Sequence, residues 1–126
     1  MAITTLLTIA KADLRTASRL VNSDNKFEKH QAAYFTQQSI EKTIKYLVDK
    51  KAGFQPWGHD IDKLLIQADT YNITIPDYIR NHASTYTSWE AVSRYYPQKV
   101  IRRDIIIRSI NEILNWHKDL SKQGIR

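Results

Sequence analysis

The chain has 126 residues, of which 42% are hydrophobic, so it is long enough for one domain with a core of its own. It has no Cys, which excludes disulfides and thiolate metal sites and suits the cytoplasm, and it has no apolar run long enough to predict a membrane span. Its formal charge of +6 indicates either an anionic partner (a nucleic acid, a nucleotide or an acidic protein) or only a solvated basic surface.

The first predicted helix runs from about Ile3 to Val21. It is expected to be part of the fold, because the chain start lacks the basic region and the cleavage site of a secretory signal. Its apolar residues recur at intervals of three and four and define one face toward the core: Ile3, Leu6, Leu7, Ala10, Leu14, Ala17 and Val21. Basic residues lie off that face: Lys11, Arg15 and Arg19. The polar run 22–25 ends the helix, and Asp24 or Asn25 can cap the next one.

The second predicted helix, from Phe27 to about Lys51, has two apolar faces. Its main face consists of Ala33, Ile40, Ile44 and Leu47. Phe35 and Tyr46 lie nearly opposite. Two such faces are typical of a helix at the centre of a bundle, covered on both sides. We therefore expect the second face to contact a partner, a site or the fourth helix of the same chain, and we predict a homodimer.

The remaining segments follow in order. A loop at 54–58 holds two aromatic residues that we expect to pin it to the bundle. A short helix spans about Asp60 to Tyr71, and a fourth helix begins at Pro76 and continues as far as Val92. A break at 93–97 precedes the last helix, from about Val100 to Lys122. Helical spacing without an alternating strand pattern predicts an all-α bundle in one domain.

Four short motifs stand in order along the chain: QQSIEK just after an aromatic residue, then GHDI, TIPD and SRYYP. Each is weak alone, but their order and spacing resemble the HEPN family, named for nucleotide-binding domains of higher eukaryotes and prokaryotes. The matching positions are Phe35, Gln37, Gln38, Glu41, Lys42, His59, Asp60, Ile61, Ile75, Pro76, Arg94, Tyr95 and Pro97. Tyr96 is an insertion relative to the family's Arg-Tyr-Pro.

The resemblance implies an up-and-down bundle of four to five helices that is commonly dimeric. Relatives are often encoded beside a minimal nucleotidyltransferase or fused to one, so such a protein is an expected partner. Some members are metal-independent RNases that carry an Arg followed by four to six residues and a His. The positions that would hold this Arg are 23–25, 52–54, 75–77 and 110–112, and none is Arg. This departure favours a member that is not an enzyme.

Two groups of polar residues are candidates for a ligand site. His59 and Asp60 stand at a helix start, which favours anions but is also where such residues cap helices. A basic group around the predicted break, mixed with two Tyr residues, can hold phosphates and stack a base. Its cations are Arg94, Lys99, Arg102 and Arg103. Alternatively, Arg94 forms an internal salt bridge to a carboxylate such as Glu41.

The candidate ligand-binding residues are therefore Lys42, His59, Asp60, Arg94, Tyr95 and Arg102. His117 lies in an apolar stripe and is expected to be a hydrogen-bonded core residue, whereas His30 is expected at the surface. The chain has no HExxH motif, no Gly-rich phosphate loop and no nucleophile elbow. Neither a metal site nor a cofactor is predicted.

The leading interpretation is a non-catalytic HEPN-type module. It would bind a nucleotide-like anion, such as a nucleotide or RNA, or serve a minimal nucleotidyltransferase as an accessory partner. One alternative is a toxin-like, metal-independent RNase whose catalytic pair departs from the family motif. Another is a purely structural interaction protein without a ligand.

Overall fold

Six helices make up the computed structural model, which describes residues 4–96 and 98–126. In chain order they are α1 (Leu6–Leu20), α2 (Lys26–Ala52), α3 (Ile61–Thr70), α4 (Asp77–Asn81), α5 (Ala83–Tyr95) and α6 (Arg103–Lys122). No strand occurs in these two stretches, so the predicted all-α bundle is confirmed. Ile3 and Pro97, which the sequence placed in the first helix and the last motif, lie outside the described residues. None of the described helices is long and apolar enough to cross a membrane.

The longest helix, α2, lies at the centre of the bundle and contacts α1, α3, α5 and α6. Asn25 caps its start, because the side-chain oxygen accepts from two backbone N–H groups of the first turn at 2.9 and 3.2 Å. Gly53 ends it in the left-handed conformation, with a φ of 81°. The main apolar face is buried as predicted: Ala33, Ile40, Ile44 and Leu47.

The second apolar face of α2 is covered by α1. Phe35, Ser39, Lys42 and Tyr46 share this face, and Ser39 Oγ donates to a backbone carbonyl of α1 at 2.8 Å. Lys42 Nζ lies 2.5 Å from Oδ2 of Asp13, which also belongs to α1. Phe35 and Tyr46 are partly buried against the core. Because α1 covers this face within one chain, the face gives no argument for self-association, and the homodimer stays a prediction.

The fourth predicted helix is interrupted at His82. The helix α4 ends at Asn81 and α5 begins at Ala83. In a continuous helix the Tyr78 carbonyl would accept the backbone N–H of His82. Instead the backbone N–H of His82 donates to the Ile79 carbonyl at 3.2 Å. The imidazole Nδ1 of His82 lies 2.7 Å from the backbone carbonyl oxygen of Tyr78. A carbonyl can only accept, so Nδ1 donates, and the side chain replaces the backbone at this point.

The predicted break at 93–97 starts later than expected, because α5 continues through Tyr95. The hydroxyl of Ser93 donates to the His30 carbonyl at 2.9 Å, which holds the last turn of α5 against α2. The backbone N–H of Tyr96 still bonds to the Val92 carbonyl at 3.1 Å. Arg94 therefore projects from a helix and not from a loop.

The last helix starts at Arg103, three residues later than predicted from Val100. Arg102 keeps an extended backbone, with φ −74° and ψ 122°, and Ile101 is buried just before it. The Arg103 guanidinium donates to two carbonyls of the α1–α2 loop at 2.9 and 2.8 Å. These contacts anchor the start of α6 beside the end of α1, so the two helices run antiparallel.

Candidate functional site

One polar face of α2 collects most of the first motif. Its members lie on the same side of the helix because of their spacing: Tyr34, Gln37, Gln38, Glu41 and Lys45. This side faces the loop between α2 and α3 and the C-terminal half of α5. Lys42, one residue beyond Glu41, points to α1 and so does not belong to this face.

Glu41 is the centre of a buried hydrogen-bond network. Its carboxylate is only 4% exposed, and Oε1 accepts from Gln37 Nε2 at 3.1 Å and from His59 Nδ1 at 3.0 Å. On the other side, Lys45 Nζ lies 3.3 Å from Oε2. A carboxylate removed from water needs such partners, because an unpaired buried charge is strongly destabilising. The first and second motifs therefore meet at Glu41.

His59 is oriented by this network. A carboxylate can only accept, so Nδ1 donates to Glu41, and Nε2 is the ring nitrogen left for other partners. The His59 side chain is 63% exposed. Its backbone carbonyl also lies 3.4 Å from Gln37 Nε2. His59 thus ties the loop to α2 and still presents a ring nitrogen toward solvent.

Glu90 and Arg94 approach the same face from α5. The nearest ligand atoms of Glu41, His59 and Glu90 all lie within 4.8 Å of one another. This spacing can hold a metal ion, but Gln37 and Lys45 already occupy the Glu41 carboxylate.

The contacts of Arg94 with Glu90 and Tyr34 are long. Its Nη1 lies 3.7 Å from Glu90 Oε1, and Nη2 lies 3.5 Å from the Tyr34 hydroxyl. The guanidinium carbon is 5.7 Å from the centre of the Tyr34 ring, within reach of a cation–π contact. The Tyr34 hydrogen bond raises the pKa of Arg94 above its ordinary value. The expected salt bridge from Arg94 to Glu41 is wrong; the partner is Glu90.

Asp60 has the capping role, one of the two roles that its position at a helix start suggested. Its Oδ1 accepts from the backbone N–H of Lys63 at 3.3 Å, and the N–H of Ile61 donates to Thr87 Oγ1 at 3.1 Å. Both of these N–H groups at the start of α3 therefore have protein partners.

Tyr95 and Arg102 are the two remaining residues that the sequence predicted for the site. Tyr95 follows Arg94 and is 69% exposed. Arg102 forms its own pair with Asp104 at 2.6 Å, where it lowers the pKa of that carboxyl. The structure therefore brings His59 and Arg94 to the polar face of α2. Asp60 and Tyr95 are their neighbours in the chain, whereas Lys42 pairs with Asp13 of α1 and Arg102 pairs with Asp104.

The aromatic loop between α2 and α3 was only partly predicted. Phe54 packs edge-on against Tyr71, with ring centres 5.8 Å apart, as expected for a pinned loop. The same expectation is wrong for Trp57, which is 97% exposed. This residue lines an open cleft of about 360 Å³ together with Lys45 and His59.

The other three His residues are less exposed than His59. His117 is buried and bonds to Thr43 at 3.0 Å, which confirms its predicted core role. His82 is held by the Tyr78 carbonyl. His30 was expected at the surface, but it is only 2% exposed, and burial followed by repulsion from Lys29 and Lys26 lowers its pKa. His59 is therefore the His most available to a ligand.

Sequence reasoning missed four contributors to the site: Tyr34, Lys45, Trp57 and Glu90. The Glu41–Lys45 and Glu90–Arg94 pairs are each four residues apart, a spacing that is visible in the sequence. The exposure of Trp57 has no such signal.

Comparison with known proteins supports the resemblance seen in the motifs. The family model of the HEPN domain matches residues 3–120, nearly the whole chain. No curated protein and no solved structure matches it. The matched span contains all four motifs, two of which meet at the Glu41 network. The chain therefore belongs to the HEPN domain family.

Proposed function

We propose that this chain is a non-catalytic HEPN module that binds a nucleotide-like anion, with Arg94 holding the phosphate. The observation that carries this proposal is the state of Arg94. Its side chain is 52% exposed, and its contacts with Glu90 and Tyr34 are long, 3.7 Å and 3.5 Å. A phosphate accepts two shorter, charge-assisted hydrogen bonds from an Arg side chain, so it can replace both contacts.

The surroundings of Arg94 support a nucleotide over inorganic phosphate. Tyr95 follows Arg94 and is 69% exposed, and Trp57, two residues before His59, is 97% exposed. Stacking of a base on such a ring contributes about 1–3 kcal/mol. The nearby Glu41 carboxylate is paired with Lys45 at 3.3 Å, which reduces its repulsion of a phosphate.

Calorimetric titration with ATP and with a short 5′-phosphorylated RNA tests the proposal. Arg94→Gln removes a charged hydrogen-bond donor, and we expect it to weaken binding about 10–100-fold. Arg108→Gln is a matched control, because Arg108 also pairs with a Glu four residues away, at 3.0 Å, and also lies over a Tyr ring, at 4.7 Å. This control should bind like the wild type.

Two results would contradict the proposal. One is a wild-type protein that binds neither probe. The other is an Arg94→Gln protein that melts at a lower temperature but keeps its affinity, which would make Arg94 purely structural.

One observation favours the RNase alternative. His59 donates from Nδ1 to a buried carboxylate at 3.0 Å and leaves Nε2 toward solvent, as a general acid or base requires. Arg94 lies nearby as a cation for the phosphate. Cleavage of single-stranded RNA in EDTA, lost in His59→Gln and kept in His82→Gln, would establish this activity. We expect the RNA to stay intact.

The role of accessory partner to a minimal nucleotidyltransferase is compatible with the same face. Trp, Tyr and Arg are the residues that most often dominate protein–protein binding energy, and Trp57, Tyr95 and Arg94 are all accessible. Co-purification of such an enzyme with the wild type, and its loss with Trp57→Ala, would support this role. Retention by Trp57→Ala would exclude Trp57 from the contact.

A further inference from the structure

A second surface, the groove between α1 and α6, has a different character. It encloses about 550 Å³. Its rim carries Lys11, Arg15 and Arg19 from α1 and Lys118 from α6, and Leu14 and Leu114 form its floor. We call this surface the basic groove. All of its lining residues belong to α1 and α6, whereas Arg94 and its contacts belong to α5 and α2.

The charges of the basic groove are not compensated by the protein. Among the described residues, none of its four cations forms a salt bridge, and no acidic side chain lines it. Lys11, Arg15 and Arg19 follow one another at intervals of four residues, about 6 Å of helix rise each. Like charges at this spacing destabilise a helix. An external anionic group would relieve this repulsion.

The floor of the basic groove is aliphatic and is accessible on its α6 side, whereas Leu14 on the α1 side is only 2% exposed. Leu114 is 42% exposed. Ile107, two turns earlier on the same face of α6, is 37% exposed and extends the apolar strip. Two adjacent antiparallel helices with an apolar strip between them form a groove that can accept a third helix.

We propose that the basic groove docks an amphipathic helix of a partner protein, with Leu-type residues on the floor and Glu or Asp residues against the four cations. A second copy of this chain fits poorly, because a two-fold contact would place the same cations against each other. Single-stranded nucleic acid fits less well than a helix, because none of the described Phe, Tyr or Trp residues lines the groove for stacking.

The test uses a synthetic 18-residue helical peptide with Leu at i, i+3, i+4 and i+7 and Glu beside them. Two further probes are a scrambled peptide of the same composition and a single-stranded oligonucleotide of similar charge. We expect the helical peptide to bind with micromolar affinity in a fluorescence titration. Arg15→Glu with Arg19→Glu should weaken it at least tenfold, and Leu114→Ala about fivefold.

Control variants test whether the peptide binds in the basic groove itself. Lys50→Glu with Lys51→Glu reverses two exposed charges outside the groove and should leave binding unchanged. Arg94→Gln should also leave it unchanged, which separates this proposal from the nucleotide site. If the double reversal in α1 fails to fold, Lys118→Glu provides the same test from α6. Equal binding of the scrambled peptide, tighter binding of the oligonucleotide, or no effect of the groove variants would overturn the proposal.

Discussion

Mild acid should destabilise this protein through His117. Burial, followed by repulsion from Lys11, lowers the pKa of His117 to about 4 from an ordinary value of 6.5. The folded protein therefore binds this proton more weakly than the unfolded chain does. Above pH 6.5 the residue has no effect, and stability is lost as the pH falls from 6.5 toward 4.

The hydrogen bonds of His117 explain why protonation brings no compensating contact. Thr43 donates its only hydroxyl proton to the Ser39 carbonyl at 2.7 Å, so His117 Nε2 must donate to Thr43 Oγ1 at 3.0 Å. The neutral ring satisfies this arrangement, and a proton on Nδ1 finds no acceptor among the described residues. From the two pKa values, the free energy of unfolding should fall by about 2 kcal/mol between pH 7 and pH 5, and by about 3 kcal/mol below pH 4.

Urea unfolding of the wild type and of His117→Gln at pH 7 and pH 5 measures this effect. We expect the pH-dependent loss to be about 2 kcal/mol smaller in the variant. A smaller loss should persist in both proteins, because burial also lowers the pKa of His30. An equal loss in the two proteins would refute the assignment to His117.

Three further predictions concern the site and the assembly. Glu41→Ala leaves Lys45 buried without its partner, so it should lower the free energy of unfolding in urea by about 3–5 kcal/mol. Glu112 is more exposed, and Glu112→Ala should lower it by less than about 1 kcal/mol. Similar losses in the two variants would contradict the role of Glu41. Trp57→Ala should change stability by less than about 0.5 kcal/mol, since the side chain is 97% exposed, and a larger loss would show that it packs. Sedimentation at micromolar concentration should show the predicted homodimer, and a pure monomer would exclude it.

The helices were predictable because their signals are local. Apolar spacing located the core faces of α1 and α2, and Asn25 capped the helix that it was expected to cap. The interruption at His82 was not predictable, because it depends on a side chain competing with the backbone for the Tyr78 carbonyl. The burial of His30 depends on contacts with distant segments, such as the bond between its carbonyl and Ser93 in α5.

The candidate site was predicted in part. Glu41 and His59 both belong to the motifs that carry the family resemblance. The fold places His59 Nδ1 3.0 Å from Glu41 Oε1. Helix geometry alone separates Lys42 from Glu41, since neighbouring residues on a helix point in different directions. The sequence predicted a break at 93–97, but α5 continues through Tyr95. Arg94 therefore lies on the same helix as Glu90, four residues earlier, and pairs with it instead of with Glu41.

The most direct test of the nucleotide-binding proposal is the tryptophan indole signal in a nitrogen–proton NMR spectrum during titration with ATP. Of the three Trp residues, Trp89 and Trp116 are 3% and 4% exposed and Trp57 is 97% exposed, so each titration carries its own internal control. If the polar face of α2 binds the nucleotide, the Trp57 indole and the amides around Arg94 and Tyr95 should shift together and saturate, and Arg94→Gln should abolish these shifts. Unchanged signals at millimolar ATP, or shifts confined to the basic groove, would contradict nucleotide binding at this face.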